Sequence, residues 1–293
     1  MNSYSMNINN IAAGRVQESS VVASIDELKF VTRSRFDSSS LLADAKKVLG
    51  RDSYIKSLPG LPSQNIYFFE SLDGGYRFKL NPSYFSSAWS CLDSLESLLG
   101  RVGLEAHITS LTATLTIPCD FYSFYMGLDF GLKRVIERLG TSSTGETVYI
   151  GKIGKKFQIT IYDKAKELKS RSKKKNEHID YPCTRIEIIW KPDREVTVSE
   201  ISTVIESDPF KDLTAYSFRF VEPPDDSSRA VWRRYYEFVE MCKRLGFHQT
   251  KRELNRKTKN NFKRNFGHFY ELEEYDRTLS EIFQYGIRGY FQQ

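Results

Sequence analysis

Apolar residues recur along this chain with two periods, and the points where one gives way to the other lay out its elements. Asn65-Ile-Tyr-Phe-Phe-Glu-Ser71 and Tyr76-Arg-Phe-Lys-Leu80 flank Leu72-Asp-Gly-Gly75. That is a hairpin signal, because Asp and Gly accept the positive φ of a tight turn. After Asn81-Pro82, a suitable helix start, Phe85, Trp89, Leu92, Leu95, Leu98 and Leu99 return at helical spacing up to Gly100. They predict an amphipathic helix lying on a sheet. Leu111, Ala113, Leu115 and Ile117 then alternate with Thr112, Thr114 and Thr116, the mark of a half-buried strand. A second helix is expected from Phe121 to Leu139, stopped by Gly140. Glu146 to Trp190 reads as two strands, a charged helix and a third strand. This order predicts an α+β fold, an antiparallel sheet with helices packed on one face.

Outside that core the pattern is looser. Residues 1–24 are rich in Asn and Ser without a clear period and read as a disordered leader. Ser38 to Gly50 reads as a short helix with a serine N-cap and a glycine stop. Beyond Pro192 come a short helix from Val196 to Ile205, a strand from Tyr216 to Val221 and a break at Pro223-Pro224. A helix from Val231 to Leu245, ended by Gly246, and another from near Thr250 follow. The expected organisation is a leader over 1–24, a core domain over 25–192 and a mainly helical, basic extension over 193–293.

Composition narrows the partner. Of 293 residues 40% are hydrophobic, enough for a globular core. The net charge of +6 and pI near 8.9 favour a polyanion over an acidic small molecule. Cys91, Cys119, Cys183 and Cys242 are widely spaced and read as reduced core thiols of a cytoplasmic protein. No apolar run is long enough for a membrane span, and the N-terminus lacks a secretory pattern. His107, His178, His248 and His268 form no His-x-His pair, which leaves a histidine-based metal site unsupported. No phosphate-loop, Gly-x-Ser-x-Gly or Gly-x-Gly-x-x-Gly pattern occurs.

The chemistry concentrates in the core stretch. Phe157, Ile159 and Ile161 point to one face of their strand, and Gln158, Thr160 and Tyr162 to the other. In the last strand Arg185 and Glu187 share the face opposite Thr184, Ile186 and Ile188. If the two strands pair, one surface presents a phenol, a guanidinium and a carboxylate together, a plausible phosphodiester site. Lys164 to Lys175 holds seven basic residues and one Glu. Such a run is a solvated helix face or, directly after the phenol, a DNA backbone contact through Lys169, Arg171, Lys173 and Lys174. Lys251 to Arg264 holds seven Lys or Arg and one acidic residue, with Phe262, Phe266, Phe269 and Tyr270 among and after them. Lys251, Arg252, Arg256, Lys257, Lys263 and Arg264 suit phosphate contact, and the aromatics suit occasional base stacking.

Tyr149-Ile-Gly, Ile161-Tyr-Asp-Lys-x-x-Glu167 and Thr184-Arg-Ile-Glu187 together resemble the core of rolling-circle replication initiators and related relaxases, over roughly Asn65 to Trp190. The resemblance implies that Tyr162 is the DNA-nicking nucleophile and that Glu187 helps hold a divalent metal, Mg²⁺ or Mn²⁺. Related initiators often carry Arg-x-Asp-x-x-x-Asp on the strand equivalent to Leu111–Ile117, where this chain has Ser110, Thr112 and Thr116. Replacement ligands are then Glu167 first, or Asp120, Glu146 and Asp163. Arg185 would orient the phosphate or simply pair with a carboxylate. The phenol's pKa, near 10 in water, needs lowering, by Lys164 or by the metal. The implied function is origin-specific nicking and joining through a covalent 5′-phosphotyrosine, with a host helicase and polymerase as partners and a homodimer as one assembly. Tyr181 is a positional guess for the terminating cleavage. A conjugative relaxase and a non-catalytic origin-binding regulator are the alternatives.

Overall fold

Two apolar rows run straight across five neighbouring strands. The computed structural model describes residues 5–7, 20–33, 46–47, 53–57, 65–70, 75–131, 136–142, 145–151, 157–171, 181–192, 194–206, 208–275 and 277–292. Its strands are β1 (Ser5–Asn7), β2 (Ser20–Thr32), β3 (Lys46–Lys47), β4 (Ser53–Ser57), β5 (Asn65–Glu70), β6 (Tyr76–Leu80), β7 (His107–Ile117), β8 (Leu128–Asp129), β9 (Ile136–Ser142), β10 (Gly145–Ile150), β11 (Phe157–Asp163), β12 (Thr184–Trp190), β13 (Thr214–Phe220) and β14 (Tyr270–Glu274). The main sheet runs β3-β4-β5-β6-β2-β7-β12-β11-β10-β9, with β1 also on β2. Every pairing in it is antiparallel. Val148, Ile161, Ile186, Leu115 and Ala23 form one row, and Ile150, Ile159, Ile188, Ala113 and Ile25 the next. All ten are buried.

Helices pack around this sheet and beside it. They are α1 (Ala88–Leu99), α2 (Arg101–Leu104), α3 (Phe121–Gly127), α4 (Lys164–Arg171), α5 (Ile201–Glu206), α6 (Arg229–Leu245), α7 (Phe247–Lys257), α8 (Phe262–Phe266) and α9 (Leu279–Gln292). Among them α9 packs against β2 and α3 against β11. Helix α1 starts with a Ser87/Ser90 capping box and ends at Gly100, whose φ is 64°. Helix α9 lies on β2 so closely that a Cβ on Gly286 would sit 2.7 Å from Ala23 Cβ. The α+β expectation, an antiparallel sheet with helices on one face, is met. One buried cluster extends from Val21 to Ile287. Packing also crosses the expected boundary after residue 192, because β8 pairs with β13 in a second sheet, β14-β13-β8.

Several local expectations are corrected. The leader was expected through residue 24, but β2 begins at Ser20 and buries Val21 and Ala23 beside Ile25. The helix from Phe121 stops at Gly127 rather than Leu139. Its spacing suits a helix, yet Ile136–Ser142 pairs with β10, and tertiary pairing overrides local preference. Most of the helix expected over Ser38 to Gly50 lies outside the described residues; within it, Lys46–Lys47 pairs with β4 instead. Strand β7 is buried on both faces: its Thr112 and Thr114, flanked by β2 and β12, are buried like the apolar residues that alternate with them. The four cysteines are free thiols, three buried and Cys119 half-buried. No helix among the described residues is long and apolar enough to cross a membrane.

Candidate active site

The sheet face turned away from the apolar rows carries two polar rows. Thr147, Tyr162, Arg185, Thr116 and Val22 form one; Tyr149, Thr160, Glu187, Thr114 and Ser24 form the other. Antiparallel pairing of β11 with β12 therefore brings Tyr162, Arg185 and Glu187 together, as the alternation of both strands predicts. The Tyr162 hydroxyl donates to Glu187 Oε1 at 2.7 Å. Arg185 Nε lies 3.5 Å from the same oxygen and makes no hydrogen bond within the described residues.

An aspartate that sequence reasoning missed completes the group. The register of β2 against β7 slips between Ile25 and Glu27, leaving Asp26 unpaired in a bulge. Asp26 Oδ2 accepts from Arg185 Nη2, while Oδ1 accepts from Ser24 Oγ at 2.7 Å. Thr114 Oγ1, fully buried, accepts from Arg185 Nη2 at 3.2 Å and stands 2.6 Å from Ser24 Oγ. A signal did exist: buried positions step by two through Val21, Ala23 and Ile25, then by three to Leu28. The guanidinium is thus clamped from β2 and β7, with only 13% of its side chain exposed.

Electrostatics follow from burial and from these carboxylates. Burial raises the Tyr162 pKa above the ordinary tyrosine value; Arg185 opposes the rise, and Glu187 and Glu167 add to it. The phenol is therefore firmly protonated in the free protein. Lys164 stands 5.8 Å from the centre of the Tyr162 ring, but its ammonium is paired with Glu167. Burial works against the charge of Arg185, yet Asp26, Tyr162, Glu187 and Glu167 outweigh it and raise the pKa. Three carboxylates, Asp26, Glu167 and Glu187, here face two cations, Arg185 and Lys164. Among the described residues no group of three or more His, Cys, Asp or Glu side chains converges as a ready metal cage. Of the other acids considered as ligands, Asp120 caps α3 through Ser123 N at 3.0 Å, and Asp163 accepts from Lys166 N at 2.9 Å. The Glu146 side chain lies outside the description.

Residues 126–280, more than half of the chain, match the family described as replication initiation factor. The chain belongs to the replication initiation factor family. Membership bears out the rolling-circle initiator expected from Tyr149 to Glu187. A solved "Rolling Circle Replication Initiator Protein from Geobacillus stearothermophilus" resembles the initiator over 78% of this chain and 98% of that one, at 14% identity and a TM-score of 0.36. No curated protein matches it.

The basic residues of the initiator divide into distinct groups. Lys169 is exposed at the end of α4, the Arg171 side chain is not described, and Lys173 and Lys174 lie outside the described residues. Lys251 is exposed, 6.0 Å from the Phe247 ring centre. Arg252 turns inward, 3.5 Å from Asp129 and donating to the Gly131 carbonyl at 3.3 Å. Arg256 pairs with Glu253 at 3.0 Å. Lys257, Lys263 and Arg264 are exposed. The aromatics expected to stack on bases are placed otherwise: Phe262, Phe266 and Phe269 are core and Tyr270 is half-buried. Their apolar area is worth more against α6 than in water. Tyr181 is 45% exposed just before β12.

Proposed function

We propose that this replication initiator starts rolling-circle synthesis by nicking one origin strand through Tyr162. The observation that carries the reading is the 2.7 Å hydrogen bond from the Tyr162 hydroxyl to Glu187, beside a guanidinium held by Asp26 and Thr114. The phenol oxygen attacks the scissile phosphorus, forming a P–O(Tyr) bond and breaking the P–O3′ bond. Glu187 accepts the phenolic proton, and the departing 3′ oxygen takes a proton from water to become the free hydroxyl that a polymerase extends. The resulting phosphotyrosine ester keeps the bond energy for rejoining, so termination is the reverse transfer. Arg185 meets the charge that builds on the phosphoryl oxygens, and the Asp26 and Thr114 contacts fix it before substrate arrives.

The donor set fits a divalent cation. Glu187 Oε1 is taken by Tyr162, while Oε2 has no partner among the described residues, and Glu167 is engaged by Lys164. The local excess of negative charge, three carboxylates against two cations, grows when a phosphodiester enters. Mg²⁺ takes one or two carboxylates plus substrate phosphate and keeps waters for the rest; Glu187 would hold it through Oε2. Bound there, Mg²⁺ or Mn²⁺ supplies Lewis-acid polarisation of the phosphate.

The test is a denaturing-gel assay with labelled origin DNA or a labelled single-stranded library, in Mg²⁺ or Mn²⁺ and in chelator. A covalent adduct is expected with wild type and metal, none with Tyr162→Phe, and none in chelator. An adduct that survives in Tyr162→Phe moves the nucleophile elsewhere. DNA binding without an adduct under any metal refutes the nicking role and leaves an origin-binding regulator.

A further inference from the structure

Between Lys257 and Arg264 the initiator carries four cations and no acidic residue. Lys257, Lys259, Lys263 and Arg264 are all exposed, and among the described residues none enters a salt bridge or side-chain hydrogen bond. They sit at the end of α7, on the turn that follows and on the first turn of α8. Lys259 and Asn260 are consecutive residues of positive φ, 51° and 67°. Asparagine tolerates the left-handed region; lysine resists it, and glycine adopts it freely.

The turn is held there from several sides. Thr258 N and Oγ1 both donate to the Leu254 carbonyl at 2.8 Å. Asn260 N donates to the Asn255 carbonyl at 2.8 Å, and Phe262 N to the Asn255 side chain at 3.3 Å. Phe262 and Phe266, 2% and 4% exposed, root α8 in the core. The cations therefore stand on a rigid knuckle. The lysine thus holds a conformation that costs it strain, and its ammonium stands out from the turn. No exposed aromatic lies within 257–264, so the knuckle has charge without a stacking platform.

We infer that Lys257, Lys259, Lys263 and Arg264 form a clamp on the phosphate backbone of duplex DNA, adding affinity without reading sequence. Single-strand binding without sequence preference joins cations to exposed aromatics; a bare cationic knuckle matches the evenly spaced phosphates of a duplex. The inference rests on the replication-initiator reading above, and it adds Lys259 and excludes base stacking here.

The experiment measures the affinity of the full chain for an origin duplex and an unrelated duplex of equal length across a salt series. The variant combining Lys257→Gln, Lys259→Gln, Lys263→Gln and Arg264→Gln should lose about 3–4 units of the log K against log[salt] slope, roughly 0.9 per phosphate contact. Its affinity should fall by the same factor on both duplexes, so the ratio between them holds. Lys259→Gly should raise the melting midpoint by about 1 °C through relief of strain, while Asn260→Gly, at a residue that already tolerates this conformation, should leave it within about 1 °C of wild type. Only Lys259→Gly should also lower the slope, by about 1. A wild-type slope in the fourfold variant overturns the clamp while leaving the initiator reading intact. A loss larger on the origin than on the unrelated duplex overturns it as well. Wild type that binds no duplex at all overturns both readings.

Discussion

Replacing Asp26 tests whether Arg185 is positioned from β2. Asp26 and Arg185 expose 26% and 13% of their side chains, so solvent screens the pair little. Asp26→Asn keeps an oxygen for Arg185 Nη2, and its amide can still meet the Ser24 and Thr114 hydroxyls. What disappears is the charge assistance, about half of a bond worth roughly 2–3 kcal/mol, hence a loss of ~1–1.5 kcal/mol. Asp26→Ala also removes the acceptor and leaves the guanidinium with Thr114 and a 3.5 Å approach to Glu187; a buried cation deprived of its partner costs about 3 kcal/mol. At about 2.1 cal/mol/K of unfolding entropy per residue, a chain of 293 residues loses about 1.6 °C of melting midpoint per kcal/mol. The expected shifts are thus about 2 °C for Asn and 5 °C for Ala, by calorimetry. Adduct formation, measured where both variants are folded, should slow about tenfold for Asn and more for Ala, since each 1.4 kcal/mol off transition-state binding is a decade. An Asp26→Ala protein that melts within about 1 °C of wild type and nicks at its rate refutes the positioning role.

Two further outcomes follow from the same geometry. Burial raises the Tyr162 pKa in the folded protein, so its contribution to stability is complete below the unfolded value near pH 10 and is lost as pH rises toward the folded value, by at most about 1.4 kcal/mol per unit. Denaturant midpoints measured from about pH 9 to 11.5 should therefore fall more steeply for wild type than for Tyr162→Phe; parallel curves contradict the shift. Gly127 ends α3 against β13, where an added Cβ would meet the Tyr216 carbonyl oxygen at 1.8 Å. Gly127→Ala should cost about 3 kcal/mol or more because a paired backbone cannot yield. Gly131→Ala, with φ 77° and nothing within 4 Å of the new Cβ, should cost only about 1 kcal/mol of conformational strain; equal melting losses for the two would refute the close approach.

What the sequence determined by itself was local. Alternation placed Arg185 and Glu187 on one face of their strand and Tyr162 on the polar face of its own, because side chains two apart on a strand share a side whatever the strand pairs with; the pairing of the two strands brought the three together. Three- and four-residue recurrence similarly marked α1. Tertiary structure decided whatever depends on a neighbour distant in the chain. Asp26 is 159 residues from Arg185; the step from Ile25 to Leu28 signals a bulge but says nothing of the strand beside it. Leu132, Val135, Ile136 and Leu139 have helical spacing, and pairing with β10 makes strand of Ile136 to Ser142. Phe262 and Phe266 look equally suited to a base or a core, and α6 packing settles them inside. A face is fixed by backbone geometry within a few residues; a partner is fixed by burial and pairing energies that no short window contains.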